Sequence, residues 1–162
     1  MEHKEIKVGI ADYKIAKSPD RLMTIGLGSC IGIAIIDKKN GIGGLAHIML
    51  PDSSKFNKVA NEIKFADLAI PILIKEMVKN GAREKDLRAK IAGGASMFNF
   101  SDSKVNMDIG ARNSASVKEV LNARKIPIDS EETGGTKGRT ITFDTVTGEL
   151  YVKTVGEGLK VV

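Results

Sequence analysis

Alternating apolar and polar residues predict β-strands near both ends of the chain. At the amino end, apolar residues at every second position predict an opening strand within 4–17. A turn is predicted at 18–20, and a further strand begins at Arg21. The carboxyl part predicts three more strands, at 126–132, 139–144 and 149–155.

Apolar residues at helical spacing predict a long helix over 59–80. Gly81 is its expected carboxyl cap, because glycine readily adopts the left-handed conformation that ends many helices. Pro71 lies inside the segment and removes an internal hydrogen bond. We therefore expect either a kinked helix or two abutting ones.

A second helix is predicted to begin with a cap at Asn113 or Ser114 and to run to about Arg124. Before it, 88–92 is predicted to form a strand and 102–110 a short extended or irregular piece. Together these elements predict a single domain spanning all 162 residues. Its class is α+β, with mixed β-sheets sandwiched with about two helices.

Two apolar runs in the first third of the chain have the pattern of a β-hairpin. The runs 30–36 and 42–49 are separated by the loop residues 37–41. The first run begins at Cys30, the only cysteine, and the second contains His47, one of only two histidines. The hairpin therefore determines whether a thiol and an imidazole can meet.

The length of the hairpin loop decides between two registers. A four-residue loop over 37–40 pairs Cys30 with His47, and directly opposed side chains have Cβ atoms roughly 4.5–5.5 Å apart. A two-residue turn at Asn40-Gly41 instead pairs Cys30 with Pro51 and separates the thiol from the imidazole by about 13 Å. Although Asn-Gly favours the second register, we expect the first.

The two faces of the first hairpin strand differ in side-chain size. Gly32 and Ala34 share the face of Cys30, whereas the isoleucines between them point the other way, toward the main core. The face beside the thiol is therefore lightly filled. It leaves room either for a packed helix or for a substrate side chain that approaches the sulfur.

Composition excludes several functional classes. The net charge is +5, but basic and acidic residues are interleaved and aromatic residues make up only 4%, so nucleic-acid binding is not expected. No apolar run reaches the ~18 residues of a membrane span, and the amino terminus lacks the apolar core of a signal peptide. These features predict a cytoplasmic protein without membrane insertion.

The single cysteine limits the possible chemistry. It cannot form an intrachain disulfide, a CxxC pair or a cysteine-rich zinc site. Cys30 is then a structural thiol, a nucleophile or a redox sensor. A nucleophilic thiol needs an imidazole to take its proton and a third group to hold the ring. Sequence proximity offers His47 for the first role and Thr24 or Asp52 for the second.

The loop that leads to Cys30 has the sequence GLGS at 26–29. Glycine permits backbone conformations that aim consecutive N–H groups at one point, so Gly28 and Ser29 could form an oxyanion-binding loop. The alternative is a plain tight turn between two strands. The loop has neither the spacing nor the Lys-Ser/Thr pair of a phosphate-binding motif.

Five short motifs then occur in order along the chain: TIGLGSC at 24–30, AHIMLP at 46–51, GGASMF at 93–98, IGARN at 109–113 and GGTKGR at 134–139. Together they resemble the CheD family of chemoreceptor glutamine deamidases. The resemblance implies a triad of Cys30, His47 and Thr24. It also implies a fold related to toxin-type cysteine deamidases such as cytotoxic necrotizing factor.

The same resemblance implies a function and partners. Members of the family hydrolyse selected glutamine side chains of methyl-accepting chemotaxis receptors to glutamate, release ammonia and need no cofactor. The phosphatase CheC is the implied protein partner. Two other functions stay open, namely a noncatalytic adaptor that binds CheC or receptor through the same face, and a thiol redox sensor.

Overall fold

Our computed structural model describes residues 2–97 and 108–162. They form ten β-strands, two α-helices and two 3-10 turns, the latter at Glu62–Lys64 and Glu84–Asp86. The strands are β1 (Glu5–Lys7), β2 (Asp12–Lys17), β3 (Arg21–Leu27), β4 (Ile31–Asp37), β5 (Ile42–Ile48), β6 (Arg88–Gly93), β7 (Ile128–Thr133), β8 (Arg139–Asp144), β9 (Leu150–Thr154) and β10 (Leu159–Val161). The helices are α1 (Ala66–Lys79) and α2 (Ile109–Ala123).

These strands form two five-stranded sheets. The outer sheet has the order β1-β3-β8-β9-β10, and the central sheet has the order β2-β5-β4-β6-β7. The pairs β1–β3 and β6–β7 are parallel, and the other pairs are antiparallel. Both sheets are therefore mixed, and the predicted α+β class with mixed sheets and two helices is confirmed for the described residues.

The central sheet lies between the outer sheet and the two helices. One core cluster joins the central sheet to both helices and includes Ile31, Ile33, Ile35, Ile70, Leu73, Val117 and Leu121. A second cluster joins the two sheets and includes Leu27, Ala34, Leu45, Ile141 and Phe143. The prediction that the β4 isoleucines face the main core is confirmed.

Small residues on the opposite face of β4 let the outer sheet pack closely. A Cβ placed on Gly32 would lie 2.6 Å from Ile141 Cδ1 and 3.2 Å from Leu27 Cδ1. A side chain at this position would push the outer sheet away. The outer sheet thus occupies the space beside Gly32 that the sequence offered to a helix or a substrate.

The predicted single strand over 4–17 is wrong, because the chain crosses between sheets in this region. β1 pairs with β3 in the outer sheet, and β2 pairs with β5 in the central sheet. Between them Val8 N–H donates to Met23 O, and Ala11 N–H donates to His47 O. Ala11 has a positive φ of 55°, which marks the change of direction.

The predicted long helix starts later than expected. Leu50 N–H donates to Lys64 O, and Ala66 N–H donates to Leu50 O, so the segment before the helix is held against the end of β5. Phe65 is consequently extended, with φ −111° and ψ 134°. Helix α1 can begin only after this residue.

Pro71 lies inside one continuous helix, so the prediction of two abutting helices is wrong. Gly81 follows the helix with a φ of +108°, as expected for a carboxyl cap. Neither α1 nor any other helix in the described part of the chain is long and apolar enough to cross a bilayer.

Helix α2 starts before the predicted cap at Asn113 or Ser114, so that prediction is wrong. The cap is Asp108, whose carboxylate accepts a hydrogen bond from Ala111 N–H at 2.9 Å. The predicted irregular piece at 102–110 lies mostly outside the described residues. The side chain of Asn113 has a different use, which is described below.

The three predicted carboxyl-terminal strands are confirmed as β7, β8 and β9. Strand β10 was not predicted, and it pairs antiparallel with β9 at the edge of the outer sheet. Reciprocal backbone bonds between Leu150 and Val162 hold the end of the chain against β9. Lys90 Nζ donates to Val162 O at 2.7 Å and ties the end to the central sheet as well.

Candidate active site

The hairpin of β4 and β5 adopts a register that lies between the two predicted ones. Asp37 pairs with Ile42, and Gly32 pairs with His47. Cys30 lies just before the first residue of β4. Both predicted registers are therefore wrong, and Cys30 lies diagonally across from His47 instead of directly opposite it.

The side chain of Asp37 stabilises this register. Its carboxylate accepts from Asn40 N–H at 3.1 Å and from Asn40 Nδ2 at 2.7 Å. It also accepts from Arg83 N–H at 2.8 Å, which is 46 positions away in sequence. The loop 38–41 is thus shaped partly by a distant residue that local sequence does not reveal.

The diagonal arrangement still places Cys30 and His47 on one face of the central sheet. Diagonal neighbours in an antiparallel pair lie roughly 7–8 Å apart, within reach of long or aromatic side chains. The residue opposite His47 is Gly32, so β4 places no side chain there. His47 Nε2 is buried and has no hydrogen-bond partner among the described residues, so it is not bonded to the thiol in this structure.

The orientation of the His47 ring is set from the outer sheet. Its Nδ1 lies 2.7 Å from Thr24 Oγ1, and both side chains are fully buried. The Thr24 hydroxyl donates to Val8 O at 2.8 Å. Because a hydroxyl has one proton, Thr24 must accept from the ring, which places the ring proton on Nδ1. The lone pair of the neutral imidazole is then on Nε2, where it can accept a proton.

Three successive carbonyls in the loop before β4 accept hydrogen bonds. The donors and acceptors are Ala95 N–H to Gly28 O at 2.8 Å, Asn113 Nδ2 to Ser29 O at 2.9 Å and Gly94 N–H to Cys30 O at 2.8 Å. The carbonyl and N–H of a trans peptide point in opposite directions, so these bonds also orient the next N–H groups. Outside the strand ladders of residues 2–97 and 108–162, neither the Ser29 N–H nor the Cys30 N–H donates to a backbone carbonyl. The loop therefore presents two adjacent N–H groups beside the thiol.

Two glycines at the end of β6, Gly93 and Gly94, allow the chain to approach this loop closely. A Cβ on Gly93 would lie 2.1 Å from Cys30 O, and one on Gly94 would lie 2.9 Å from Gly110 O. Both residues have positive φ, +117° and +67°. The turn at Gly93-Gly94 therefore lies directly against the Cys30 loop and holds it through the bond from Gly94 N–H to Cys30 O.

Asn113 belongs to this site, although the sequence predicted it only as a possible helix cap. It is fully buried, and its Nδ2 donates to Ser29 O and to Met49 O at 2.9 Å each. Ser29 directly precedes Cys30, and Met49 follows His47 by two residues. The sequence signal was the motif IGARN, whose role depends on contacts far apart in the chain.

Comparison with known families agrees with the predicted resemblance. A family model described as CheD chemotactic sensory transduction matches residues 49–154, which is more than half of the chain. This chain belongs to the CheD family. The match begins after Cys30 and His47, so it does not cover these two residues.

Curated CheD relatives cover nearly the whole chain. A protein of Clostridium kluyveri named Probable chemoreceptor glutamine deamidase CheD is 62% identical over 160 residues, 99% of each chain. A Clostridium botulinum protein of the same name has the same identity and coverage. Among solved structures, Bacillus licheniformis hypothetical protein YfiH matches with a TM-score of 0.49 and 14% identity, over 77% of this chain and 51% of that one. This last likeness is too weak to bear on function, and the relation to toxin-type deamidases stays a prediction.

Burial keeps both candidate reacting groups of this CheD family member neutral. It lowers the pKa of His47 from 6.5 to about 4, so the imidazole is uncharged at neutral pH. Burial also raises the pKa of the Cys30 thiol above its ordinary value of 9.0, while the Cys30 N–H acts in the opposite direction. The resting pair is therefore a thiol and a neutral imidazole, and not a thiolate with an imidazolium.

The second predicted orienting group, Asp52, lies on an exposed loop. Its carboxylate accepts from Ser54 N–H at 2.9 Å and from Ser54 Oγ at 2.7 Å. Of the two predicted groups, Thr24 is the one that contacts His47 in this CheD chain. In the described part of the chain, no three His, Cys, Asp or Glu side chains are grouped so that they could hold a metal ion.

Proposed function

We propose that this protein deamidates glutamine side chains of chemotaxis receptors, with Cys30 as nucleophile, His47 as general base and Thr24 as the orienting residue. The observation that supports this most strongly is the contact between Thr24 Oγ1 and His47 Nδ1. Since the Thr24 proton is already donated to Val8 O, His47 keeps a lone pair on Nε2 for the thiol proton. Relatives named as glutamine deamidases indicate the substrate class.

The first half of the reaction forms a thioester. His47 Nε2 removes the proton from Cys30 Sγ, and the sulfur attacks the glutamine Cδ, whose carbonyl oxygen becomes an oxyanion. His47 then gives this proton to the amide nitrogen. The C–N bond breaks, ammonia leaves, and a glutamyl thioester remains on Cys30.

Water completes the cycle. His47 Nε2 takes a proton from water while the water oxygen attacks the thioester carbonyl. When this second tetrahedral intermediate collapses, the C–S bond breaks and Cys30 recovers its proton from His47. One glutamine and one water become one glutamate and one ammonia, so no other reactant is needed.

A neutral orienting group is consistent with a base that is neutral at rest. The Thr24 hydroxyl fixes the tautomer but stabilises an imidazolium less than a carboxylate would. With the His47 pKa near 4 and the Cys30 pKa above 9.0, complete proton transfer before attack is unfavourable. We therefore expect deprotonation of the thiol to accompany its attack on the substrate.

The loop before β4 supports a role in binding the oxyanion. The Gly28 N–H donates to Gly26 O at 3.1 Å, so it is already engaged. The N–H groups of Ser29 and Cys30 are the better candidates, and they lie on the residues that carry and precede the nucleophile. In hydrolases of this kind, loss of one such donor costs ~10²–10³ in rate.

The test uses purified protein and the cytoplasmic fragment of a chemotaxis receptor. Ammonia release and conversion of glutamine to glutamate, located by mass spectrometry, are measured for wild type, Cys30→Ala and His47→Ala. We expect conversion with wild type and none above background with either variant. Asp52→Asn is the matched control, because Asp52 is exposed and should leave the rate unchanged. Conversion that survives Cys30→Ala would refute the mechanism.

The two other functions make different predictions in the same experiment. If the protein is a noncatalytic adaptor, wild type, Cys30→Ala and His47→Ala should all bind receptor or CheC equally well. None of the three should release ammonia. A redox sensor requires a thiol that is readily oxidised, and the raised pKa of Cys30 disfavours this. Binding to CheC and a cytoplasmic location both stay predictions.

A further inference from the structure

We propose that Asn113 is a positioning residue that holds the Cys30 loop and the strand carrying His47 at a fixed separation. This inference rests on the deamidase function proposed above, because it gives Asn113 a part in that reaction. Asn113 acts on the backbone on either side of the reacting groups and not on the substrate itself.

The hydrogen bonds of the hairpin stop short of the site. The last residue pair is Ile31 opposite Ile48, and both Ser29 and Met49 lie beyond it. Asn113 bridges this gap, because its two Nδ2 hydrogens reach Ser29 O and Met49 O at 2.9 Å each. One buried amide thus continues the connection between the two strands where the backbone ladder ends.

Asn113 also orients the peptide group that carries the Cys30 N–H. The Ser29 carbonyl and the Cys30 N–H belong to the same peptide plane and point in opposite directions. The bond to Ser29 O therefore directs the Cys30 N–H away from Asn113, and this N–H lies close to its own thiol. Without Asn113, both the sulfur and a candidate oxyanion donor would lose their fixed position.

Helix α2 gives this amide a rigid support. Gly110 packs so closely on Gly94 and Ala95 that a Cβ would lie 2.6 Å from the first carbonyl oxygen and 2.5 Å from the second. The N–H groups of the same two residues donate to the loop that carries Cys30. The first turn of α2 is therefore fixed to that loop, and Asn113 follows one turn later.

The test compares Asn113→Ala, Asn113→Asp and Ser116→Ala with wild type. Asn113→Asp keeps the size of the side chain but removes both donors. Ser116 lies on the same helix and its Oγ donates to Pro51 O at 2.6 Å, so Ser116→Ala removes a comparable bond away from the Cys30 loop. The readouts are kcat and KM with a receptor fragment, thermal unfolding, and the pH midpoint of Cys30 alkylation by iodoacetamide without receptor.

We expect both Asn113 variants to show kcat lowered by roughly ten- to a hundredfold, because small misplacements of reacting groups have effects of this size. KM should stay within about twofold of wild type, because the hydrogen bonds removed are not made to the substrate. The alkylation midpoint should move toward that of an exposed thiol. Ser116→Ala should match wild type in kcat, in KM and in this midpoint. Wild-type kcat or an unmoved midpoint in Asn113→Ala overturns the proposal, and so does an equal effect of Ser116→Ala.

If Asn113→Ala does not fold, Asn113→Gln takes its place, because it keeps the amide but displaces it by one methylene. The same direction of change is expected, and wild-type kcat and midpoint in that variant overturn the proposal. Failure of the wild-type protein to release ammonia would contradict the proposed deamidase function alone. The alkylation midpoint needs no substrate, so it would still test the position of the thiol.

Discussion

Thr24 Oγ1 and His47 Nδ1 lie 2.7 Å apart although the two residues belong to different sheets. Strand β3 brings Thr24 from the outer sheet, and strand β5 brings His47 from the central one. The contact can form only when the two sheets pack face to face. The outer sheet therefore does more than cover the hydrophobic core, because it selects the tautomer of the candidate base.

Thr24→Val should lower kcat strongly while leaving the fold intact. The substitution removes the acceptor for the Nδ1 proton, so the ring is free to rotate or to place its proton on Nε2, where it cannot act as a base. General acid–base catalysis contributes ~10²–10⁴ in rate, and we expect most of that factor to be lost. Val8 O also loses a buried donor, at a cost of about 1–3 kcal/mol in the free energy of unfolding.

Thr24→Ser is the matched control, because serine keeps the hydroxyl. Ammonia release with a receptor fragment gives kcat, and chemical denaturation gives stability. We expect Thr24→Ser to retain kcat within about tenfold of wild type, since only a methyl group is lost. Equal activity of the valine and serine variants would contradict the orienting role.

The buried His47 should make stability fall in mildly acidic solution. Its pKa is about 4 in the folded protein and 6.5 in the reference state that approximates the unfolded chain. Between these values the unfolded chain binds the additional proton, so the free energy of unfolding decreases as pH falls through this window. The decrease is at most ~3 kcal/mol and is complete only below the folded pKa.

Urea unfolding at several pH values between about 7 and about 4 tests this, because this range covers the window between the two pKa values. Carboxylates titrate in the lower part of the same window, so the comparison is with His47→Gln, which lacks this titration. The wild-type curve should be the steeper of the two. Parallel curves would show that His47 is not held neutral by burial.

Cys30 should react slowly with alkylating reagents in the native protein. Burial raises its pKa above 9.0, so the thiolate fraction at neutral pH is smaller than for an exposed cysteine. Labelling by iodoacetamide is simple to interpret, because the chain has one cysteine. The pH midpoint should be higher in native than in guanidinium-unfolded protein. A native midpoint below the unfolded one would indicate a stabilised thiolate and a different resting state of the pair.

Local patterns predicted most strands and the residues of the candidate site. The isoleucines of β4 face the helices as their alternation required, and the glycine loop does lead to Cys30. Thr24, His47 and Cys30 were named from the chain and lie in one region of the fold. These features follow from short-range periodicity, from residue chemistry and from family motifs.

The errors occurred where distant residues determine the local structure. At the hairpin, the Asp37 carboxylate that holds the loop also accepts from the distant Arg83 N–H. Helix α2 includes Asn113 because Asp108 caps it and because the Asn113 amide is used by carbonyls of the hairpin. The propensity of asparagine for a cap is a weak preference, and these tertiary contacts outweigh it.

Two alanine substitutions separate backbone strain from the close approach that positions Cys30. Gly93 and Gly134 both have positive φ, +117° and +88°, so alanine is strained at either position. A Cβ on Gly134 would meet nothing within 4 Å, whereas one on Gly93 would lie 2.1 Å from Cys30 O. Gly134→Ala should therefore cost about 1–2 kcal/mol in the free energy of unfolding and leave kcat near wild type.

Gly93→Ala should cost roughly 3 kcal/mol or more, because the same strain is joined by a backbone collision that the chain can relieve only by moving. The atom displaced is the carbonyl oxygen of the proposed nucleophile, which also loses its bond to Gly94 N–H. We expect kcat of the folded fraction to fall by about tenfold or more, since the thiol moves relative to His47. Denaturation curves and ammonia release on both variants distinguish the two effects. If Gly93→Ala lowered stability but kept the kcat of wild type, the turn at Gly93-Gly94 would support the fold without setting the position of the thiol.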